Sequence, residues 1–209
     1  QRFKIEPKNQ SKISQYSQEK PYQLLYVSII DKYKHQLNVL EAVAKLRDEG
    51  YPVFLNLVGP SYTPALKLLS KKIQEIDVRK EFVKYHNSIA YEDLHNIYKM
   101  SHLGIFASSC ENMPNILLEK MAAGLPIACS NRGPMPEVLG DSGLYFDPEE
   151  SDEIFDVLKK FISDPALRAE KANESYKLVQ KYSWSTCTKN TFDFLQTVQN
   201  EHKKSLCVE

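Results

Sequence analysis

The chain predicts an α/β fold: a doubly wound parallel sheet of about six strands, covered by helices on both faces. Three observations predict it. Short runs such as LLYVS (24–28) and LGIFA (103–107) are apolar at consecutive positions, as in strands buried on both faces. Longer segments between them carry apolar residues at helical spacing. The two kinds of segment alternate from residue 24 onward.

Leu24–Ser28 reads as the first strand. Leu37, Leu40, Val43, Ala44 and Leu46 share one face of a helix that stops at Gly50. Val53–Gly59 is the second strand. Thr63-Pro64 opens a helix whose inner face holds Leu66, Leu69, Ile73 and Ile76. Phe82–Tyr85 is a third strand, and Leu94, Ile97, Tyr98 and Ser101 fit the next helix. Leu103–Ala107 is a fourth strand. The helix after it has Pro114 near its first turn and Gly124 beyond its last, the usual asymmetry of helix ends. Ile127–Cys129 and Gly143–Phe146 are the fifth and sixth strands. Three closing helices carry Ile154, Phe155, Leu158 and Ile162; then Leu167, Ala172, Tyr176 and Val179; then Trp184, Cys187, Thr191, Leu195 and Val198. Residues 1–20 are rich in Gln, Ser and Lys and read as a poorly ordered linker or tail. Residues 21–198 form the domain, and 199–209 read as a polar tail.

A length of 209 residues suits one α/β domain and is short for two. Lys+Arg and Asp+Glu both number 27, so nucleic-acid binding has no global electrostatic support. Cys110, Cys129, Cys187 and Cys207 are far apart, which points to free thiols and away from a zinc site. No stretch approaches the ~20 apolar residues of a membrane span. The start is polar throughout, unlike a signal peptide, and with Gln1 in place of Met the chain reads as a piece of something longer.

In such folds ligands bind at the carboxyl ends of the strands. The richest of those ends is Ser108–Asn115, after the fourth strand. Glu111 falls just before the helix and Glu119 inside it, four residues after Asn115 on the same face. Unpaired N–H groups at a helix start can hold an anion, and a carboxylate accepts strong hydrogen bonds from paired sugar hydroxyls. Spacing alone leaves a second reading open, in which Glu111 faces the helix dipole and Glu119 is solvated.

The residue context goes further. ENMPNILLEKMAAGLPI (111–127) resembles the E-x7-E motif of the family 4 retaining glycosyltransferases, which have the GT-B fold. LLYVSIIDKYKHQLNVLEAV resembles that family's first strand of the domain with its lysine-bearing loop. LNLVG (55–59) resembles the second strand with its terminal glycine, and AYEDLHNIYKMSHLGIFASSCE the unit leading into the motif. SNRGPMPEVLGDSGLYFDP resembles the next loop, helix and short strand. YSWSTCTKNTF (182–192) resembles the closing Trp-bearing helix.

The resemblance covers residues 22–198 in order, and it implies the carboxyl-terminal, Rossmann-like half of a GT-B enzyme with extra C-terminal helices. It implies a nucleotide-sugar donor, UDP- or GDP-linked, whose sugar hydroxyls meet Glu111 and whose ribose meets Glu119. The amides of Asn115 and Ile116, after Pro114, would hold the diphosphate, and Lys34 would neutralise it. Gly59 and His86 would border the donor pocket. No metal or other cofactor is implied. The implied partner is a missing amino-terminal, acceptor-binding half, without which transfer is not expected. A cytoplasmic place at the inner face of the membrane, reached through the full-length protein, and a role in surface glycan or lipopolysaccharide synthesis follow from family habit. Two positions depart from the pattern. Ile29 follows Ser28 where the family has an arginine, with Lys32 the nearest cation, and His86-Asn87 stands where a glycine is common. Asn tolerates the left-handed backbone such a loop needs.

The Ile29 departure keeps open a non-catalytic nucleotide-sugar-binding module or regulatory subunit. A sugar-nucleotide epimerase shares the fold but not the motif. Plainer roles suit other residues: Cys110 as a small packed side chain, His35 and His86 as structural, Arg132 and Glu137 as surface groups, Trp184 as a packing anchor for the last helix.

Overall fold

The computed structural model describes residues 4–206. Six strands form one wholly parallel sheet: β1 (Tyr22–Val27), β2 (Val53–Val58), β3 (Val83–Tyr85), β4 (Leu103–Phe106), β5 (Ile127–Ser130) and β6 (Leu144–Phe146). Their order is β3-β2-β1-β4-β5-β6. The chain winds outward from β1 to β3, then returns across β1 and winds the other way. The β1/β4 boundary is therefore the point where the loops diverge and a crevice opens.

The consecutive apolar residues of β1 explain its central place. Leu24 and Tyr26 face one layer, with Val39, Leu40 and Val43 of α1 (Gln36–Asp48), Leu69 of α2 (Thr63–Ile76) and Leu158 of α6 (Ser151–Ser163). Leu25 and Val27 face the other, with Leu94 and Tyr98 of α3 (Leu94–Met100) and Ala123 just past α4 (Asn115–Ala122). The short helix α5 (Met135–Leu139) follows β5, and α7 (Pro165–Val179) follows α6.

The inner face of α7 differs from the one its apolar spacing suggests. Its buried residues include Arg168, Ala172 and Ser175, while Leu167 and Tyr176 are half-buried. Arg168 determines this. Its guanidinium donates to the carbonyls of Phe161 (2.6 Å) and Ile162 (2.7 Å), lies over the Tyr22 ring, and reaches Gln10 Oε1 and the Ser11 carbonyl. Five donors in a planar fork allow one side chain to close the end of α6 and hold a second segment.

That second segment is residues 4–20, read above as a linker or tail. It is hydrogen-bonded to the domain body. The Ile5 N–H donates to the Ala122 carbonyl at 2.9 Å, and Lys8 Nζ donates to the Ser101 carbonyl at 2.8 Å. Gly124 has a φ of +62°, and a Cβ there would lie 2.6 Å from the Ile5 carbonyl oxygen. Only glycine lets the segment pass so close.

The last helix, α8 (Trp184–Leu206), is a separate compact unit with residues 179–183. It continues through most of the stretch read as a polar tail, because nothing between Glu201 and Leu206 breaks a helix. Trp184 is 80% exposed, and Phe192, Phe194, Leu195 and Val198 are also exposed. Cys207 lies outside the described residues. Cys110, Cys129 and Cys187 are free thiols.

Candidate functional site

Two loops meet at the β1/β4 boundary. The first, from Ser28 to His35, is folded by its own polar groups. Asp31 Oδ1 accepts from the Lys32 N–H at 2.7 Å and opens a single 3-10 turn, Lys32–Lys34. The Lys34 carbonyl accepts from the Tyr26 hydroxyl at 2.6 Å. Both bonds turn the Lys34 stem inward, where it is buried. Its ammonium forms an ion pair with Glu111, between the rings of Tyr33 (4.8 Å) and Phe106 (5.7 Å). Gln36, buried at the start of α1, donates to Ser28 Oγ and to the Ile29 carbonyl, fixing the exit of β1.

The second loop runs from Ala107 to Pro114. Its Ser109 joins it to the first loop. The Ser109 N–H donates to the Tyr33 carbonyl (2.9 Å), its hydroxyl donates to the same oxygen (3.3 Å), and His35 Nε2 lies 2.8 Å from that hydroxyl. A hydroxyl that donates to Tyr33 accepts from His35, so Nε2 carries the ring proton. Burial lowers the His35 pKa, opposed by the Glu149 and Asp147 charges.

Pro114, buried, stands at the N-cap of α4, and its carbonyl accepts from the N–H groups of Leu117 and Leu118. Asn115 is exposed and its N–H turns to the Met113 carbonyl at 2.9 Å; Ile116 follows, half-buried. One turn on, half-buried Glu119 accepts from the Tyr98 hydroxyl at 3.1 Å. Burial raises the Glu119 pKa, opposed by the Tyr98 hydrogen bond and the Lys120 charge.

A third stretch closes the side toward β2 and β3. Gly59 has a φ of +141°, and a Cβ on it would lie 2.1 Å from the Ser28 carbonyl oxygen. Its N–H donates to the Asn87 carbonyl, and its carbonyl accepts from the Tyr85 hydroxyl, both at 2.9 Å. Asn87 adopts the left-handed conformation (φ +56°) that its side chain tolerates. His86 is half-buried, with Nε2 2.9 Å from Asn56 Oδ1. The Asn56 amide donates to Gln23 Oε1, so its oxygen faces the ring and His86 Nε2 is a donor.

Among the residues singled out in the sequence, Lys34 and Glu111 are in contact, and Pro114, Asn115, Ile116 and Glu119 follow on the helix that leaves the same loop. Gly59 abuts the exit of β1. Others stand apart. Arg132 pairs with Asp147 and lies 3.7 Å from Glu149. Glu137 and Lys32 are exposed, and so is Cys110, which projects from the loop and is not packed. Four residues carry roles that sequence reasoning passed over: Tyr98, Ser109, Gln36 and Lys120. Only Lys120 leaves a clear trace, as a cation next to Met121 and three residues after Leu117 in an apolar run.

The family model described as Glycosyl transferases group 1 matches residues 7–178. The O-antigen chain mannosyltransferase B of Escherichia coli is 27% identical over 172 residues, which are 81% of this chain and 44% of that protein. The N-acetyl-alpha-D-glucosaminyl L-malate synthase of Bacillus anthracis is 30% identical over 73% of this chain and 40% of its own length. The chain thus spans less than half the length of these curated relatives. Among solved structures, Anabaena Alr3699/HepE in complex with UDP-glucose superposes with a TM-score of 0.77 at 20% identity, over 86% of this chain and 50% of that one. The C-terminal domain of the group 1 protein LpcC from Francisella tularensis superposes at 0.70 and 23% identity, over 86% of this chain and 96% of that one. At these identities the likeness is one of fold, the Rossmann-like α/β architecture of GT-B proteins.

Proposed function

The chain belongs to the glycosyl transferases group 1 family, and from that premise we propose that it is the donor-binding, carboxyl-terminal half of a family 4 retaining glycosyltransferase. The full protein moves a sugar from a UDP- or GDP-sugar to a hydroxyl acceptor, in surface glycan or lipopolysaccharide synthesis. The acceptor half precedes this chain, and this chain alone does not transfer. The observation that carries the reading is the Lys34–Glu111 ion pair at the β1/β4 boundary, beside the start of α4.

The chemistry follows from that pair. A bound diphosphate draws the Lys34 ammonium to its oxygens and frees Glu111 to accept from sugar hydroxyls. As the glycosidic bond breaks, negative charge grows on the leaving diphosphate. Lys34 and the N-terminal dipole of α4 are already in place to meet it. No metal is needed for this offset, and among the described residues no three His, Cys, Asp or Glu side chains cluster as a metal site. Glu119, oriented by Tyr98, takes the ribose hydroxyls. The Alr3699/HepE structure with UDP-glucose supports the choice of donor class. The relatives' length supports a missing half. Peripheral membrane association belongs to the full protein; no described helix is long and apolar enough to cross a bilayer.

Calorimetric titration of this chain with a panel of UDP- and GDP-sugars tests the reading. Binding of at least one is expected, and a folded chain that binds none of them refutes it. Glu119→Ala is expected to weaken a binder by about tenfold or more, the worth of one charge-assisted hydrogen bond.

Ile29, half-buried with its carbonyl held by Gln36, favours a second reading as a nucleotide-sugar-binding module without turnover. Ile29→Arg in the full-length protein separates the two: turnover that appears only in the variant supports the module.

A further inference from the structure

We propose that Lys120 is a positioning residue of the donor site, a second buried cation that fixes the exit of β1 and holds positive charge beneath the diphosphate. The proposal rests on the donor-site reading above and adds a residue to it.

The geometry is unusual for a lysine. Lys120 is fully buried on α4, next to Glu119 in sequence. Its ammonium donates to the carbonyl of Val27, the last residue of β1, at 3.3 Å. It lies 5.1 Å from the centre of the Phe106 ring and 5.8 Å from that of Tyr26. Lys34 lies 5.7 Å from the same Phe106 ring. Two ammonium groups, Lys34 from the first loop and Lys120 from α4, therefore share a single aromatic side chain. Room for the Lys120 stem comes from Gly104 on β4, where a Cβ would stand 3.1 Å from the stem's Cδ.

A buried ammonium with one carbonyl partner and two ring faces is weakly compensated. The charged and titratable groups around it are Glu119 on its own helix, Cys129 on β5, Tyr26 on β1, and the Lys34–Glu111 pair across Phe106. Burial dominates and lowers the Lys120 pKa to about 7. The free protein therefore holds this proton far less tightly than an ordinary lysine does. An arriving diphosphate adds negative charge on the site side, favours the protonated form, and takes up a proton on binding.

The test is calorimetric titration of the chain with UDP-glucose and GDP-mannose between pH 6 and pH 8. The diphosphate diester of a nucleotide sugar keeps a fixed charge over this range. If Lys120 takes up the proton, affinity tightens by about tenfold from pH 8 to pH 6. Lys120→Met is expected to flatten that profile and to weaken binding most at pH 6. His35 and His86 have pKa values lowered by burial, and His35→Gln and His86→Gln variants separate their contribution to the profile from that of Lys120. A wild type that binds with a flat profile, or a Lys120→Met variant with the same slope, overturns the inference and leaves the donor site standing. A wild type that binds no nucleotide sugar overturns both. Should Lys120→Met fail to fold, binding at pH 7 in two buffers of different ionisation heat decides. Uptake of about half a proton per donor supports the inference; uptake near zero, or uptake lost in His35→Gln or His86→Gln, overturns it.

Discussion

At the residue scale the site is built from pairs, and each pair can be tested apart from the fold. Tyr98→Phe removes the hydroxyl that donates to Glu119 while keeping the buried ring. It is expected to weaken nucleotide binding by about three- to tenfold and to leave the unfolding free energy from urea titration within about 1 kcal/mol of wild type. Lys120→Met is expected to move stability the other way. With its folded pKa lowered to about 7, Lys120 has lost its proton between pH 7 and its ordinary value of 10.5 while the unfolded chain still holds one. Wild-type stability therefore rises with pH across that window. The Met variant lacks this slope, so its advantage is greatest below pH 7, at about 1–3 kcal/mol, and fades toward pH 10. Urea titrations at pH 6 and pH 9 measure the difference. Glu111 and Glu119 left a visible trace as two carboxylates at fixed spacing after a strand, which alone also fits a solvated pair, and Lys34 was marked only by the likeness of its loop to the family's. Ser109 was not, because its role is a bridge to Tyr33 and His35, residues 76 and 74 positions away.

At the element scale the strands were the most legible part. Most are apolar on both faces, β3 with its exposed Lys84 being the exception, and the sequence places each within one or two positions of its observed ends. The parts that escaped were held by polar groups. Asp77, buried at the end of α2, accepts from the N–H groups of Glu81, Phe82 and Val83 and seats β3; nothing in its spacing marks it. Arg168 gave residues 4–20 a fixed course that their composition does not suggest. Arg168→Met strands the carbonyls of Phe161 and Ile162 and releases Gln10 and Ser11. A loss of about 3 kcal/mol in urea unfolding is expected. Hydrogen exchange should quicken at the Ile5 amide, which loses its neighbour's anchor, before it quickens in β1.

At the scale of the whole molecule, α8 stands out. Trp184, Phe192, Leu195 and Val198 expose one apolar stripe over a long helix, more than a monomer ordinarily leaves to water. The chain is expected to self-associate in sedimentation runs as concentration rises, and Phe192→Glu with Leu195→Glu to restore a single slow species. The stripe was legible in the sequence; its exposure was not, since periodicity shows that a face is apolar and not whether anything covers it. A survey of every substitution along the chain would divide differently. Glu119 should tolerate change in a readout of abundance and fail only in one of binding, while Glu111 should also lose some abundance because its removal strands the buried Lys34 ammonium. Gly59 should fail in both, for alanine as for tryptophan, because the obstacle is the Ser28 carbonyl 2.1 Å from any Cβ, whatever lies beyond it. A position that rejects all side chains regardless of size marks where two strand ends touch, and it locates the mouth of the crevice without any ligand being present.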